Sequence, residues 1–226
     1  GEGWHKKSGQ AHAEVIAIES VQNKKLLSSS TLYVSLEPCS HFGKTPPCAD
    51  LILKYKIPNV VIGTIDPNSK VTGKGIQKLK DDGVNVTFGI LEKECNELNK
   101  RFFTFHKKSR PFIILKWAES SDGFISPKNK DEQKPVWISN EYSRQLVHKW
   151  RSEEQAILVG TQTIIDDNPS LTVRDWTGDN PIRVIIDKEN RIETSKNVFD
   201  NQAKTIVFSN KEVTAVADQI EYIKVD

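Results

Sequence analysis

The 226-residue sequence contains no methionine and only three cysteines, and no hydrophobic run approaches the roughly 18 residues that would span a bilayer. A small, odd number of cysteines argues against a secreted domain held by disulfides, so we expect a cytoplasmic setting. Because 32 basic residues nearly balance 30 acidic ones, bulk charge gives no basis for binding nucleic acid or a membrane surface. The missing methionine, and ends without a signal pattern or a cap, predict a fragment of a longer protein.

Helical and strand patterns alternate along the chain. Apolar and β-branched runs predict strands at 31–36, 60–63, 84–88, 112–117, 156–159, 182–186 and 205–208, and helical spacing predicts helices at 12–20, 48–56, 75–82, 91–105 and 140–150. This order is typical of a mainly parallel sheet with helices on its faces. The basic stretch 107–110, followed by Pro111, predicts a boundary between two α/β domains, 1–107 and 108–226.

Four residues near the start of the chain have the types that a catalytic zinc site needs. His12 and Glu14 stand at the start of a predicted helix, Cys39 follows a predicted strand, and Cys48 begins the next helix. One imidazole and two thiolates match the three protein ligands of a catalytic zinc, which keeps a fourth position open. Glu14 then lies close enough to move protons between water and a substrate. His-x-Glu followed by Pro-Cys is typical of zinc nucleobase deaminases, although here eight residues instead of two separate the cysteines.

Alternative interpretations of these residues stay open at this point. The two cysteines could be buried apolar thiols, or His41 could complete a structural zinc site with four protein ligands. Cys95 lies in a predicted helix without a second ligand nearby, and we interpret it as a bystander. His5, His106 and His148 are interpreted as surface or packing residues.

The segment 36–48, Leu-Glu-Pro-Cys-Ser-His-Phe-Gly-Lys-Thr-Pro-Pro-Cys, resembles the bifunctional riboflavin-biosynthesis deaminase/reductase family, in which the long spacing between the cysteines is usual. The resemblance covers nearly the whole chain and includes Asp-Pro-Asn at 66–68 and Gly-Lys-Gly at 73–75. It implies zinc as cofactor, and substrate contacts from Lys44 and Asn68. The residues that it implies at the zinc are His12, Cys39 and Cys48 as ligands and Glu14 as proton shuttle.

The second half lacks a P-loop, and its first predicted strand is not followed by G-x-G-x-x-G. The segments 118–123, 137–139 and 160–174 resemble the reductase half of the same family, whose fold is similar to dihydrofolate reductase. The resemblance implies an NADPH site lined by Ala118, Trp137 and Thr163. It implies a substrate site formed by Arg151, Asp167, Leu171 and Arg174. Pro135 departs from the family, which has a polar residue there.

The expected fold class is α/β, with a cytidine-deaminase-like three-layer domain followed by a partial dihydrofolate-reductase-like domain. The N-terminal part of the first domain and the C-terminal part of the second are expected to be missing. The implied function is zinc-dependent deamination of a phosphorylated pyrimidine in riboflavin biosynthesis, then NADPH-dependent reduction of its ribosyl group. The alternatives are another nucleobase or nucleoside zinc deaminase, a deaminase with an inert reductase half, and a non-catalytic zinc-stabilised scaffold. The expected partner is the small-molecule substrate, not nucleic acid or a membrane, and a homo-oligomer stays open.

Overall fold

The computed structural model describes residues 1–68, 71–127, 136–212 and 218–226. The chain divides into two compact units, 1–114 and 115–226. Part of the basic stretch 107–110, which predicts a domain boundary, is helical. Lys107 and Lys108 lie in the last turn of a helix, where the helix dipole favours positive charge. Among the described residues, no helix has the length and apolar character needed to cross a membrane.

The first unit is a parallel three-stranded sheet flanked by helices. Its elements are α1 (Ala13–Ser20), β1 (Thr31–Leu36), α2 (Cys48–Lys54), β2 (Asn59–Thr64), α3 (Lys74–Asp81), β3 (Asn85–Phe88), α4 (Glu92–Leu98) and α5 (Lys100–Lys108), with a 3-10 turn at Lys24–Ser29. The strand order is β1-β2-β3, and Leu32 pairs with Val60 and Val60 with Val86. These bounds confirm the predicted strand 31–36 and the alternating α/β order of this half.

The side chains of β2 point alternately to two layers of helices, one on each face of the sheet. Val60 and Ile62 are fully buried in a core with Ile18 of α1 and Ile52 of α2. Because successive side chains of a strand point to opposite faces, Gly63 faces the other layer, where α4 approaches so closely that a Cβ would meet its cysteine. The first unit is therefore the predicted three-layer arrangement.

The second unit has a parallel four-stranded sheet in the order β4-β5-β6-β7. Its elements are α6 (Glu141–Glu153), β4 (Ala156–Gly160), α7 (Thr161–Asp167), β5 (Ile182–Ile186), β6 (Thr205–Ser209) and β7 (Ile220–Lys224), with a 3-10 turn at Asn197–Phe199. The core packs Ile164 of α7 against Ile185 and Val207 of the sheet. Parallel pairing is confirmed here as well.

Two expectations differ from the structure, and one helix was not predicted. The predicted strand 112–117 is wrong, because residues 111–120 form no strand and Leu115 is 78% exposed. An apolar run becomes a strand only where another strand pairs with its backbone. The predicted helix 91–105 is two helices, since the Asn99 side-chain amide donates to the carbonyl of Cys95 at 2.8 Å, and the backbone leaves helical geometry there. Helix α7 was not predicted.

Candidate functional site

Three potential metal ligands meet in the first unit. His12 immediately precedes α1, Cys39 lies in the loop after β1, and Cys48 is the first residue of α2. The Nδ1 atom of His12 is 3.3 Å from the Sγ of Cys48 and 3.5 Å from the Sγ of Cys39. All three ligand atoms lie within 4.8 Å of one another. The structure thus brings together residues that are 36 positions apart in the chain.

The two thiols have pKa values shifted in opposite directions. A hydrogen bond from the Cys48 thiol lowers the pKa of Cys39 to about 5. The same hydrogen bond and burial raise the pKa of Cys48. The backbone N–H of Cys48 also donates to the Cys39 sulfur at 3.2 Å. Since a metal ion takes the place of thiol protons, this pair suits a divalent cation.

The donor set fits zinc with an open coordination position. One imidazole nitrogen and two sulfurs are ligands that zinc prefers, and three protein ligands are typical of catalytic zinc. Within the described ranges, the clustered metal-ligating atoms are those of His12, Cys39 and Cys48, and His41 is not among them. A structural site with His41 as its fourth protein ligand therefore has no support in the geometry.

Glu14 lies beside these ligands in a buried position. Its side chain is only 9% exposed, and burial raises its pKa. The neighbouring Cys39 also acts to raise this pKa, whereas backbone hydrogen bonding and His12 act to lower it. A carboxyl group with a raised pKa beside a metal site is suited to accept a proton and to return it.

Two further residues contact the His12 ring. The hydroxyl of Thr45 is 3.4 Å from His12 Nε2, and the ring of His5 stacks edge-on at a centroid distance of 5.2 Å. A metal-binding histidine usually donates its second ring N–H to an oxygen, which fixes the ring orientation. Thr45 was not predicted; its position in the loop between the cysteines is the one sequence signal that could have indicated it.

The predicted substrate-contacting residues of the first unit lie in two loops. Lys44 is exposed in the loop between the cysteines, and its side-chain stem approaches Gly9. Asn68 is half-buried in the turn after β2, where its backbone N–H donates to Asp66 Oδ1 at 2.8 Å. Cys95 is on α4, outside the ligand group.

In the second unit, two of the predicted residues meet at one threonine. Arg151 of α6 donates from Nη1 to the Thr172 carbonyl at 3.1 Å, and Arg174 donates from Nη1 to the Thr172 hydroxyl at 2.9 Å. Burial, followed by the charge of Arg174, lowers the pKa of Arg151. We call Arg151, Arg174 and Thr172 the arginine pair site. Two guanidinium groups this close are suited to a phosphate.

Buried His148 supports this site from α6. Its Nδ1 accepts the backbone N–H of Arg174 at 2.9 Å, and its Nε2 lies 3.7 Å from Asp175 Oδ2. The prediction of a packing role fits its exposure of 2%. Because Nδ1 accepts a hydrogen bond, the proton of the neutral ring is on Nε2.

The remaining predicted residues of this unit are more dispersed. Leu171 is a core residue with a left-handed backbone (φ 56°), which is strained for leucine. Asp167 ends α7, and Thr163 is exposed on the same helix. Ala118 is half-buried in an irregular segment, and exposed Trp137 lies under the Arg144 guanidinium at 5.5 Å. Pro135 lies outside the described residues.

Comparison with known proteins gives matches to both halves. Residues 1–64 match the cytidine and deoxycytidylate deaminase zinc-binding region, and residues 111–225 match the RibD C-terminal domain. The chain is 44% identical to riboflavin biosynthesis protein RibD of Aquifex aeolicus, covering 94% of this chain and 59% of that protein. It is 38% identical to RibD of Buchnera aphidicola, covering 99% of this chain and 67% of that protein.

Solved structures agree with these matches. A diaminohydroxyphosphoribosylaminopyrimidine deaminase/5-amino-6-(5-phosphoribosylamino)uracil reductase from Thermotoga maritima is 41% identical, with a TM-score of 0.90, over 99% of this chain and 63% of that chain. Acinetobacter baumannii RibD is 34% identical, with a TM-score of 0.88, over 100% of this chain and 64% of that chain. The chain thus spans about three fifths of the length of most of these relatives.

The fold and the ligand group define a two-unit α/β protein whose first unit is a zinc-binding, cytidine-deaminase-like domain. The second unit is a RibD-type, dihydrofolate-reductase-like domain. The chain belongs to the RibD family. The predicted fold class and family are confirmed, and so is zinc as the cofactor of the first unit.

Proposed function

We propose that the first unit deaminates 2,5-diamino-6-ribosylamino-4(3H)-pyrimidinone 5′-phosphate and that the second reduces the ribosyl group of the product to ribityl with NADPH. The observation that carries the first part is the approach of His12 Nδ1 to both cysteine sulfurs, at 3.3 and 3.5 Å, beside a buried glutamate. The Thermotoga relative, which is described as a deaminase and a reductase, supports the same pair of reactions.

In the first reaction, His12, Cys39 and Cys48 hold the metal and Glu14 moves protons. Zinc supplies a Lewis acid that makes water a competent nucleophile near neutral pH. Glu14 accepts one proton from water and passes it to the pyrimidine nitrogen, then accepts the second proton from the hydroxyl that has been added to the ring and passes it to the departing amine. The balance is one water consumed, one carbon–nitrogen bond broken, one carbonyl formed and one ammonia released. The raised pKa of Glu14 supports a group that gains and loses a proton.

Two residues of the first unit are proposed to bind the substrate. Lys44 supplies an exposed positive charge for the 5′-phosphate, and the Asn68 amide pairs with ring or sugar groups. Lys44 lies in the loop that joins Cys39 to Cys48 at the start of α2, so the proposed phosphate-binding charge is on the segment that links two of the proposed metal ligands.

In the second unit, the arginine pair site is proposed to bind the substrate phosphate. Arg151 and Arg174 already share Thr172, and a bound anion would offset both the burial and the charge of Arg174 that lower the pKa of Arg151. Asp167 and Leu171 complete the proposed substrate contacts. Ala118, Trp137 and Thr163 are proposed to line the NADPH site.

The proposal is tested by measuring zinc content and ammonia release together. We expect one zinc per chain and turnover of the diaminopyrimidinone. Glu14→Gln keeps the metal, and it lowers the rate of ammonia release by about 100-fold or more because the proton carrier is lost. An isosteric replacement that leaves the rate unchanged would contradict the assignment of Glu14. One zinc per chain without any ammonia release in the wild type would favour a non-catalytic zinc-stabilised scaffold.

The second reaction is tested separately with the deaminated intermediate. We expect it to drive oxidation of NADPH, measured by loss of absorbance. Ammonia release without NADPH oxidation would instead identify a deaminase with an inert second unit. Salt-sensitive binding of RNA, together with deamination of free nucleosides, would favour the alternative nucleobase deaminase.

A further inference from the structure

Glu37 is a buried carboxylate that binds four backbone N–H groups. It lies between β1 and the metal ligand Cys39, and its side chain is 3% exposed. Its Oε2 accepts the N–H of Gly73 at 3.0 Å and of Asp66 at 3.3 Å. Its Oε1 accepts the N–H of Gly75 at 2.9 Å and of Ile76 at 3.3 Å. We call Glu37 with these four N–H groups the Glu37 clasp.

The clasp explains why a carboxylate is tolerated in this buried position. Gly75 and Ile76 are in the first turn of α3, whose N–H groups have no partner within the helix. Their positive dipole end stabilises the negative charge, and charge-assisted hydrogen bonds are stronger than neutral ones. A glutamine at this position would turn an NH₂ group toward two backbone donors, so the geometry requires the carboxylate.

The two glycines of the Gly-Lys-Gly segment, Gly73 and Gly75, allow this segment to approach Glu37 closely. Gly73 has a left-handed backbone (φ 72°) at the start of α3, which favours glycine. Gly75 lies so close to the loop that a Cβ would overlap the carbonyl oxygen of Pro38. The two segments therefore approach each other at backbone distance, and Glu37 and Pro38 form one side of that junction.

The clasp joins the segment of a metal ligand to the turn that carries Asn68. On the metal side, Cys39 is also held by its own contacts, because its carbonyl accepts the N–H of Ala49 at 3.0 Å and its sulfur accepts that of Cys48. On the other side, Asp66 orients Asn68, and the backbone of Asp66 itself is bound by Glu37. Loss of the clasp should therefore displace the Asn68 turn more than the zinc ligands.

We propose that Glu37 is a positioning residue, which holds the Asn68 turn at a fixed distance from the zinc ligands and so sets substrate affinity. This inference rests on the proposed deaminase function, in which Asn68 contacts the substrate. It assigns a role to Glu37 and to Gly75, neither of which touches the metal or the reacting atoms.

The test compares steady-state kinetics of the zinc-loaded full chain with those of Glu37→Gln. We expect KM for the diaminopyrimidinone to rise about tenfold, which is the effect of losing one charge-assisted hydrogen bond. We expect kcat to change less than KM. Zinc content stays at one per chain, because the contacts of Cys39 and Cys48 do not involve Glu37. Gly75→Ala, which separates the same junction by steric overlap, should show the same KM-against-kcat split.

The matched control is Ile52→Val, which lowers stability in the core of the same unit without touching the clasp. We expect it to leave KM unchanged. An unchanged KM in a folded, active Glu37→Gln would overturn the proposal, as would an equal rise in KM in the control. A wild-type chain that releases no ammonia would instead defeat the proposed function.

Amide hydrogen exchange tests the clasp without any substrate. In Glu37→Gln, exchange at Asp66, Gly73 and Gly75 should accelerate about tenfold or more, while exchange in α2 stays at the wild-type rate. Uniform acceleration across the first unit would show a global stabiliser, not a positioning residue, and would overturn the proposal. If Glu37→Gln does not fold, Gly75→Ala decides between the same outcomes.

Discussion

The two candidate sites differ in how strongly the protein constrains them. In the first unit, three ligand atoms lie within 4.8 Å of one another, and Cys48 is fully buried. In the second unit, Arg174 and Thr163 are exposed, and several predicted residues lie on separate segments. The contrast matches the size of what each site is proposed to hold, a single ion in one case and a dinucleotide with a phosphorylated sugar in the other.

This difference shows that small and large ligands are accommodated by different means. A metal ion needs ligand atoms at fixed short distances, so the fold has to hold them close together around the ion. A phosphate can be met by long, charged side chains that adjust their rotamers, which is why the arginine pair site is partly exposed. Perturbations should therefore act sharply on the first site and gradually on the second.

The sharpest test of this contrast removes one metal ligand. Cys48→Ser should abolish stoichiometric zinc binding and lower ammonia release by more than about 100-fold, because only two ligands remain. NADPH oxidation with the deaminated intermediate should stay at the wild-type rate. Zinc content is measured by atomic absorption, and both activities are measured on the same preparation.

Cys95→Ser is the matched control, since this cysteine lies on α4 outside the ligand group. It should bind zinc as the wild type does. If Cys48→Ser also abolished NADPH oxidation, the two sites would not be separable in this way, and the contrast between them would fail.

A smaller effect is expected in the second unit from Arg174→Ala. One arginine of the pair remains, so KM for the deaminated substrate should rise about tenfold with little change in kcat. Arg174→Lys should restore part of the affinity, since charge is kept but bidentate binding is lost. Lys204→Ala is the control, because it removes a positive charge of the same unit that pairs with Glu221 at 2.8 Å and is not part of the arginine pair site. An equal KM for the phosphate-free substrate in wild type and Arg174→Ala would support phosphate recognition; an unchanged KM for the phosphorylated substrate would contradict it.

Strands could be predicted where a β-branched or apolar run lies between two turn segments. β-branched runs at 31–36 and 182–186 lie between turns and correspond to β1 and β5. The run 112–117 is also rich in apolar residues, but it pairs with no strand among the described residues, and strand pairing depends on the tertiary fold. Arg183 shows the same limit, because its complete burial depends on Asp200, whose carboxylate it contacts at 2.9 Å across 17 positions.

The clustering of His12, Cys39 and Cys48 could be predicted because zinc chemistry restricts residue types and spacing. The contacts of Thr45 and Glu37 could not be predicted, because a threonine or a glutamate has many other roles in a protein. Thr45 contacts His12 across 33 positions, and Glu37 reaches backbone groups 29 to 39 positions away. Such contacts follow from how loops fold onto each other, which a single sequence does not specify.

Thr45→Val should weaken the first site moderately. Loss of the hydroxyl near His12 Nε2 should lower zinc affinity by about tenfold, because the ring is no longer oriented from its far side. Competition with a chromogenic chelator measures this affinity. Thr45→Ser keeps the hydroxyl and should bind zinc as the wild type does. Equal affinities for the valine and serine variants would show that the 3.4 Å contact has no role in metal binding.

The smallest expected effect is a pH dependence in the second unit. Burial lowers the pKa of His148, followed by the charge of Arg151, so the folded chain favours the neutral ring that accepts the Arg174 N–H. The unfolded state then binds more protons, and the stabilisation is present above the unfolded pKa of about 6.5 and declines as pH falls below it. His148→Asn keeps a side-chain acceptor but cannot titrate. Between pH 7.5 and 5.5, the melting temperature of the second unit should therefore fall more in the wild type than in His148→Asn, as followed by differential scanning calorimetry. Parallel curves for the two proteins would mean that the pKa of His148 is the same in the folded and unfolded states, and would contradict the prediction.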